Sequence, residues 1–187
     1  MVDVGGQKDI SVHWKLFSLR IINKGRRVRK DFRILHEIGL KALRVAAAVR
    51  RDFGNIGVEK IYTVMGTFYH HDHRHIDDPF TMEEALRICD FPVGLTKALK
   101  DKTLDSEIEG DMALAIDKAG KDVGVPLIVL NGGRGDGFFG PVLSPAPRGK
   151  KAVKLWDALV TVGSTPGFFE LKRTRSTGPV FGHRPKV

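Results

Sequence analysis

The chain has 187 residues, of which 42% are apolar, and this allows one domain, or one domain with an insertion, that builds a sizeable core. No run approaches the ~20 apolar residues that span a bilayer, and the N-terminus lacks the apolar segment of a signal peptide. We therefore expect a cytoplasmic globular protein with no membrane partner. The single cysteine excludes an intrachain disulfide and a Cys-x-x-Cys redox pair.

The formal net charge of +9 and the pI of about 9.8 raise the question of nucleic-acid binding. The basic residues gather in residues 24–30, which read Lys-Gly-Arg-Arg-Val-Arg-Lys, and in the tail from Lys172. Neither group is interleaved with stacking aromatic residues or set on a DNA-binding motif. This pattern favours a solvated basic face over contact with nucleic acid, and attraction of a small anionic thiol is a third interpretation.

Residues 10–19 alternate between apolar and polar side chains, which predicts a strand with one buried face. Asn23 follows shortly afterwards, before Lys24 and Gly25. On local pattern alone, Asn23 is a turn former.

From residue 31 to residue 105 the apolar spacing changes to the helical period of 3.6. Glycines and two X-Pro steps divide this block into helices predicted near residues 31–53, 58–70, 81–89 and 95–100. Further helices are predicted at residues 106–119 and 150–162. For the helix at 81–89, Thr81 is the expected N-cap with Glu84 in the capping-box position, and Cys89 is expected to be a half-buried, inert thiol.

Four histidines and three carboxylates lie within residues 70–78, which suggests a metal site. The spacing argues against one, because zinc ligands usually come from separate elements or from positions i and i+4 of one helix. We predict instead a solvated helix end, where a protonated histidine is favourable, and no metal.

Residues 122–149 have the pattern of a β-hairpin: an apolar run at 127–130, a glycine-rich turn at 131–137 and a return at 138–143. The turn is not a phosphate loop, because no Lys-Ser/Thr opens a helix after it and Asp136 would repel an anion. Pro126 precedes the first strand, and local pattern alone favours a trans bond there. We expect one shared, mostly buried core made by Phe138, Phe139, Leu155, Trp156 and Leu159.

Four segments match a known family in order: Phe-Phe-Gly-Pro-Val-Leu-Ser at 138–144, Pro-Arg-Gly at 147–149, Leu-Trp-Asp at 155–157 and Phe-Phe-Glu-Leu-Lys-Arg-Thr-Arg at 168–175. With them the chain resembles the C-terminal half of DsbA-like thioredoxin-fold proteins, and most closely the actinobacterial mycothiol-dependent nitroreductases. The resemblance implies an α/β fold, a thioredoxin-like sheet with a helical insertion. Residues 1–28 and 106–187 would form the thioredoxin-like part and residues 29–105 the insertion.

The resemblance also implies substrate-binding residues. A cis Pro126 would present the backbone of Val125 to a docking substrate, Asn23 would border the cleft, and His70 would end a helix beside it. The co-substrate implied is a low-molecular-weight thiol of the mycothiol type, and the substrate a nitroaromatic or a disulfide. The sequence does not decide whether the protein is a homo-oligomer.

One part of the family pattern is missing, because a first strand and a Cys-x-x-Cys helix precede the matching region in the family. We expect either an N-terminally truncated product or a gap filled by the leader, a partner chain or a rearranged strand pairing. Two functions follow: a thiol-dependent oxidoreductase that is inactive in this chain and has no catalytic residue here, or a non-catalytic binding or scaffold module.

Overall fold

The computed structural model describes residues 1–187, with the side chain of residue 2 left aside. The fold is mixed α/β and mostly helical, with one small sheet. In chain order the elements are α1 (Val2–Gly5), α2 (Leu19–Ile22), α3 (Lys30–His70), α4 (Pro79–Ile88), α5 (Asp105–Ala119), β1 (Leu127–Val129), β2 (Gly137–Phe139) and α6 (Lys150–Gly163). Short 3₁₀ helices lie at Val93–Lys100, Lys102–Leu104 and Asn131–Gly133.

Two compact units make up the chain. The helical unit comprises Trp14–Leu114 and Arg184–Val187, and the hairpin unit comprises Met1–His13 and Ala115–His183. The proposed domain boundaries, 1–28 with 106–187 against 29–105, stay a prediction about how the family fold is distributed along the chain.

The long helix α3 is interrupted at the position that the glycines indicated. Gly54 has φ 65° and ψ −158°, a conformation that glycine adopts readily, so two helical segments meet there. Gly57 has a packing reason to be glycine, because a Cβ at this position would lie 2.6 Å from the Cβ of Phe53. The predicted division of residues 31–70 into two helices is therefore confirmed.

The core of the helical unit is built from the inward faces of α3, α4 and α5. Its largest fully buried side chains are aliphatic, aromatic and sulfur-containing, as the helical period predicts. They include Phe68, Ile61, Met82, Leu86, Leu104, Ile108, Met112, Val45 and Val49.

The predicted strand at residues 10–19 is wrong as secondary structure. Residues 10–18 have no partner strand among the described residues, whose one sheet pairs β1 with β2, and α2 begins at Leu19. The alternation itself is real in the helical unit, since Leu16 and Ser18 are buried and Lys15 is exposed. A β-strand requires a neighbouring strand to hydrogen-bond with as well as alternating side chains, and residues 10–18 have only the alternation.

Side chains take the place of that partner strand. The backbone N–H of Trp14 donates to Asn55 Oδ1 at 2.6 Å, and that of Leu16 donates to Asp111 Oδ2 at 2.8 Å. The next alternate N–H, at Ser18, points to the sulfur of Met112 at 3.4 Å. Three successive donors on one edge are thus satisfied by the helices, which keeps residues 14–18 extended without a ladder.

The hairpin unit contains the predicted hairpin. Strands β1 and β2 are antiparallel, with Ile128 opposite Phe138 and Leu127 opposite Phe139. At Gly137 a Cβ would lie 2.9 Å from the Cβ of Ala119, so this strand residue must be glycine where α5 passes.

The expected shared core of this unit is wrong in part. Phe138 packs near Gly163 at the end of α6 and near Phe168, whose ring centroid is 6.4 Å away. Phe139 points to the opposite face, as consecutive strand residues must, and is 51% exposed. Leu155, Trp156 and Leu159 are only partly buried.

The start of α4 also differs from the prediction. Asp78, not Thr81, is the N-cap: its carboxylate accepts a hydrogen bond from the Thr81 N–H at 2.8 Å, and Pro79 opens the helix. The Asp-Pro step was interpreted as a boundary only, although aspartate before proline is the usual N-cap and N1 pair.

Candidate functional site

Cys89 is the only thiol of the chain and lies at the C-terminal end of α4. It is the C-cap residue, and its side chain is only 5% exposed among apolar neighbours of the helical core. Burial raises the pKa of the Cys89 thiol to about 11, the neighbouring charge of Lys60 lowers it, and that of Asp90 raises it further. The thiol is more deeply buried than the half-buried one predicted, and a helix C-terminus and an apolar pocket both disfavour the thiolate, which supports the prediction that Cys89 is inert.

The loop before the hairpin has the conformation that the family resemblance implied. The Val125–Pro126 peptide bond is cis, and Val125 is exposed. The Pro126 carbonyl accepts a hydrogen bond from the Gly140 N–H at 2.8 Å, which ties the loop to the end of β2. Two further cis bonds that sequence reasoning missed precede Pro141 and Pro145.

The segment after the hairpin is held by Ser144. Its hydroxyl donates to the Gly178 carbonyl at 2.7 Å and accepts from the Val180 N–H at 2.9 Å. Ser144 closes the Phe-Phe-Gly-Pro-Val-Leu-Ser segment, so its hydroxyl anchors the tail of the hairpin unit to that segment. Nothing in the spacing of the sequence indicated this contact.

His70 is the last residue of α3 and is exposed. Its ring meets that of Tyr69 edge to face, with the centroids 4.9 Å apart. Burial, and then the neighbouring charge of His71, lower the pKa of His70. The predicted solvated helix end is confirmed, because His70 is exposed where α3 ends, although the lowered pKa works against the protonated form that the helix dipole would favour.

Asn23 is the C-cap residue of α2. Its side-chain amide donates to the Leu19 carbonyl at 2.9 Å, and its own N–H also reaches that oxygen at 3.3 Å. This is the local turn-forming role that the sequence pattern favoured. The implied role of Asn23 in substrate binding stays a prediction.

Of the four implied substrate-binding residues, two belong to each unit. Asn23 and His70 belong to the helical unit, whereas Val125 and Pro126 are neighbours in the hairpin unit. Within the part of the chain that the structure describes, no three His, Cys, Asp or Glu side chains are grouped so that they could hold a metal ion. In the same residues, no helix combines the length and apolarity needed to cross a membrane.

Sequence reasoning missed a buried ionic cluster around Asp111 in α5. Its carboxylate accepts hydrogen bonds from the Leu16 N–H and from the Arg50 guanidinium, and Lys15 Nζ lies 3.3 Å away. Arg50 also contacts Glu107 at 3.3 Å. The cluster joins the extended segment to α3 and α5, and its signal was the arginine in the otherwise apolar face of α3.

Arg44, also in α3, is buried. Its guanidinium donates to both carboxylate oxygens of Asp105, at 2.6 and 2.9 Å, and to the Leu99 carbonyl at 3.3 Å. The hydrogen bonds that Arg44 donates to the Asp105 carboxylate raise the pKa of Arg44. Both arginines hold helices together, and neither lies beside Cys89 in a way that would stabilise a thiolate.

Comparison with known families places the chain in a class of thiol-dependent oxidoreductases. A family model described as "Rv2466c-like: Mycothiol-dependent nitroreductase Rv2466c" matches residues 1–173, and the chain belongs to this family. It is also 29% identical over 181 residues to the "Uncharacterized protein Rv2286c" of Mycobacterium tuberculosis (strain ATCC 25618 / H37Rv), a match that covers 95% of this chain and 75% of that protein. The predicted likeness to the mycothiol-dependent nitroreductases is confirmed.

Proposed function

We propose that this protein serves a thiol-dependent reduction in which a low-molecular-weight thiol of the mycothiol type is co-substrate and a nitroaromatic or a disulfide is substrate. We propose further that residues 1–187 do not turn over by themselves, because the nucleophile is a thiol from outside them. The observation that carries this proposal is the burial of Cys89 at a helix C-terminus with a pKa of about 11.

The chemistry requires a thiolate and then a second thiol. With a disulfide substrate, a thiolate attacks one sulfur, the other sulfur leaves as a thiolate, and a second thiol resolves the mixed disulfide by forming a new disulfide and releasing the first thiolate. With a nitroaromatic, each two-electron step oxidises two thiols to one disulfide, so this reaction too begins with a thiolate. With a pKa of about 11, Cys89 is ionised in roughly one molecule in 10⁴ at pH 7, and its sulfur is covered by the core. Cys89 is therefore neither ionised nor accessible, and the first step requires both.

We assign substrate binding to the residues that the family resemblance singles out. Val125, which is exposed and precedes cis Pro126, would bind an extended thiol through its backbone, and the exposed imidazole of His70 would contact the substrate. We assign Asn23 to substrate binding as well, and we propose a thioredoxin-like domain of residues 1–28 and 106–187 that carries an insertion at 29–105. We place the reaction in the cytoplasm, where small thiols stay reduced.

The alternative is a non-catalytic binding or scaffold module of the same family. The same buried thiol favours it, because substrate-binding residues without a nucleophile can still bind a thiol or a partner chain. The two proposals differ in whether supplying a reactive thiol restores turnover. Self-association of the chain is compatible with both.

The experiment measures reduction of a nitroaromatic by purified protein with excess small thiol, beside a Cys89→Ser variant. We expect a background rate in both. A rate above background that disappears in Cys89→Ser would contradict the proposal of an inactive chain.

A binding arm tests the assigned residues. Binding of the small thiol is measured calorimetrically for His70→Ala and for His73→Ala, a matched control because His73 is exposed on the loop after α3. We expect weaker binding only for His70→Ala. Equal binding by both variants would remove His70 from the site.

A further inference from the structure

The start of α3 exposes a group of large apolar side chains. Phe32, Ile34 and Leu35 are 47%, 54% and 42% exposed, respectively, whereas Ile38 and Val45, on the side of the helix that Ile34 and Leu35 share, are buried. The apolar stripe of α3 therefore runs beyond the core that covers it. Contiguous exposed apolar groups of this kind mark contact surfaces more often than chance.

A dense positive charge adjoins these apolar side chains. Residues 24–33 contain six basic residues and one acidic residue: Lys24, Arg26, Arg27, Arg29, Lys30 and Arg33 against Asp31. Among the described residues, Lys24, Arg27, Lys30 and Arg33 have no ion-pair partner, so their charge faces the solvent uncompensated. We call residues 24–35 the basic tip.

Arg29 joins the two features of the basic tip. Its guanidinium lies 5.1 Å from the centre of the Phe32 ring and pairs with Asp31. Charge and apolar surface are thus interleaved over a single stretch of twelve residues, and a partner that takes up one must also meet the other.

Phe80 is a useful comparison with the basic tip, because it is an exposed aromatic residue in different electrostatic surroundings. Phe80, in the first turn of α4, is 80% exposed, more than Phe32. Its surroundings are acidic, with Glu83 and Glu84 one turn further along. An exposed apolar ring alone is therefore a common feature of this molecule, and its combination with unpaired positive charge is particular to the basic tip and to the tail after Phe169.

We propose that the basic tip docks on the surface of an anionic lipid bilayer. The lysines and arginines would lie at the headgroup phosphates, and Phe32, Ile34 and Leu35 would enter the boundary with the acyl chains, as in interfacial amphipathic helices. Nucleic acid fits less well, because Ile34 and Leu35 cannot stack on bases. The contact is peripheral and reversible, since few apolar side chains take part.

This proposal goes beyond the thiol chemistry and does not depend on it. The interpretation of residues 24–30 as a solvated face rests on the lack of interleaved aromatic residues and of a DNA-binding motif, and it takes no account of the apolar side chains that follow at Phe32, Ile34 and Leu35. Their exposure changes that interpretation.

The first test measures sedimentation with vesicles of phosphatidylcholine alone and of phosphatidylcholine mixed with phosphatidylglycerol. We expect binding only to the mixed vesicles, weakened by added salt. The triple variant Arg27→Gln, Lys30→Gln, Arg33→Gln should bind roughly a hundredfold more weakly, because each basic residue contributes near a charged surface. The matched control is Lys150→Gln, Lys151→Gln, Lys154→Gln, which removes the same three charges from exposed positions of α6.

The second test addresses the apolar side chains. The double variant Phe32→Ser, Leu35→Ser should reduce partition into mixed vesicles about tenfold, whereas Phe80→Ser should leave it unchanged. Circular dichroism confirms that each variant is folded. Ile34→Cys gives one reactive thiol for a polarity-sensitive dye because Cys89 is buried, and its emission should shift to the blue on mixed vesicles, whereas a dye on Phe80→Cys should not respond.

Three outcomes would overturn the proposal. The first is absence of binding to the mixed vesicles, and the second is an equal loss of binding in the two triple variants. The third is binding of nucleic acid, but not of vesicles, that persists in Phe32→Ser, Leu35→Ser, since this would make the basic tip a nucleic-acid surface.

Discussion

The helical unit and the hairpin unit differ sharply in how they bury apolar side chains. Of the buried apolar side chains in the described residues, all but Val4 and Ala152 belong to the helical unit. The hairpin unit has a sheet of two strands with three residues each, and neither Phe138 nor Phe139 is buried. Helices cover one another within a unit, whereas a two-stranded hairpin is only marginally stable and needs a larger surface to pack against.

The extended segment at residues 14–18 shows the same difference inside the helical unit. Its side chains find cover on the helices, but its backbone finds no partner strand and bonds to Asn55 and Asp111 instead. An alternating sequence specifies which face is buried and leaves open what pairs with the edge. That is why the helical parts of this chain were more predictable than the extended ones.

Among the substitutions that test the comparison of the two units, Phe68→Ala in the helical unit should lower stability the most. Phe68 is 2% exposed, and the guanidinium of Arg74 lies 4.1 Å from the centre of its ring. Removing it should lower the free energy of unfolding by about 3 to 5 kcal/mol. The measurement is urea unfolding followed by circular dichroism, which is dominated by the helices.

Phe138→Ala in the hairpin unit is the matched variant for that experiment. Because Phe138 is only partly buried, we expect a loss of about 1 to 2 kcal/mol. Equal losses for the two phenylalanines would show that the hairpin unit is as well packed as the helical unit, and the comparison would fail.

The second prediction concerns Asp111, which serves both the helices and the extended segment. Asp111→Ala leaves the Leu16 N–H without its acceptor and the Arg50 guanidinium with Glu107 alone, so unfolding should become easier by about 2 to 4 kcal/mol. Hydrogen exchange of the Leu16 amide should accelerate in parallel.

The control for Asp111 is Glu107→Gln, because Glu107 pairs with Arg50 and Arg51 but is more exposed than Asp111 and accepts no backbone bond from the extended segment. Its cost should stay below about 1 kcal/mol. Slow exchange of the Leu16 amide in Asp111→Ala would mean that something other than this carboxylate holds residues 14–18 extended.

Much of the helical unit was predictable because its signals are local. The 3.6 period gave the helices, Gly54 gave the break in α3, and the glycine-rich turn gave the hairpin. Family resemblance, not local pattern, gave the cis bond before Pro126. The apolar neighbours of Cys89 along the chain predicted a half-buried thiol, and the packing of the helices buries it further.

The incorrect predictions concern positions where one local sequence pattern is compatible with two structures. Thr81 and Asp78 are both capable N-caps, and the rigid Pro79 decided for Asp78 by opening the helix at the next residue. Phe138 and Phe139 looked alike in composition, but a strand sends neighbours to opposite faces. The arginine at position 50 gave no local sign of its partner, because Asp111 is 61 residues away in the chain.

The smallest of the expected effects is that of Trp156→Ala in α6. From the sequence we expected a buried tryptophan whose loss costs about 3 to 5 kcal/mol. Trp156 is only partly buried, and α6 has Ala152 as its one buried residue, so part of Trp156 already contacts water in the folded state. Trp156→Ala then removes less buried apolar surface than it would for a fully buried tryptophan. We expect the free energy of unfolding to fall by about 1 to 2 kcal/mol.

The measurement for Trp156 is thermal and urea unfolding beside Lys154→Ala, an exposed position of the same helix that controls for helix propensity. Lys154→Ala should change stability by no more than a few tenths of a kcal/mol, because lysine and alanine are both good helix formers. A loss above about 3 kcal/mol for Trp156→Ala would mean that the indole is covered in solution by another surface. The hairpin unit would then have a packing partner, and its contrast with the helical unit would reflect what each unit packs against, not how well each packs alone.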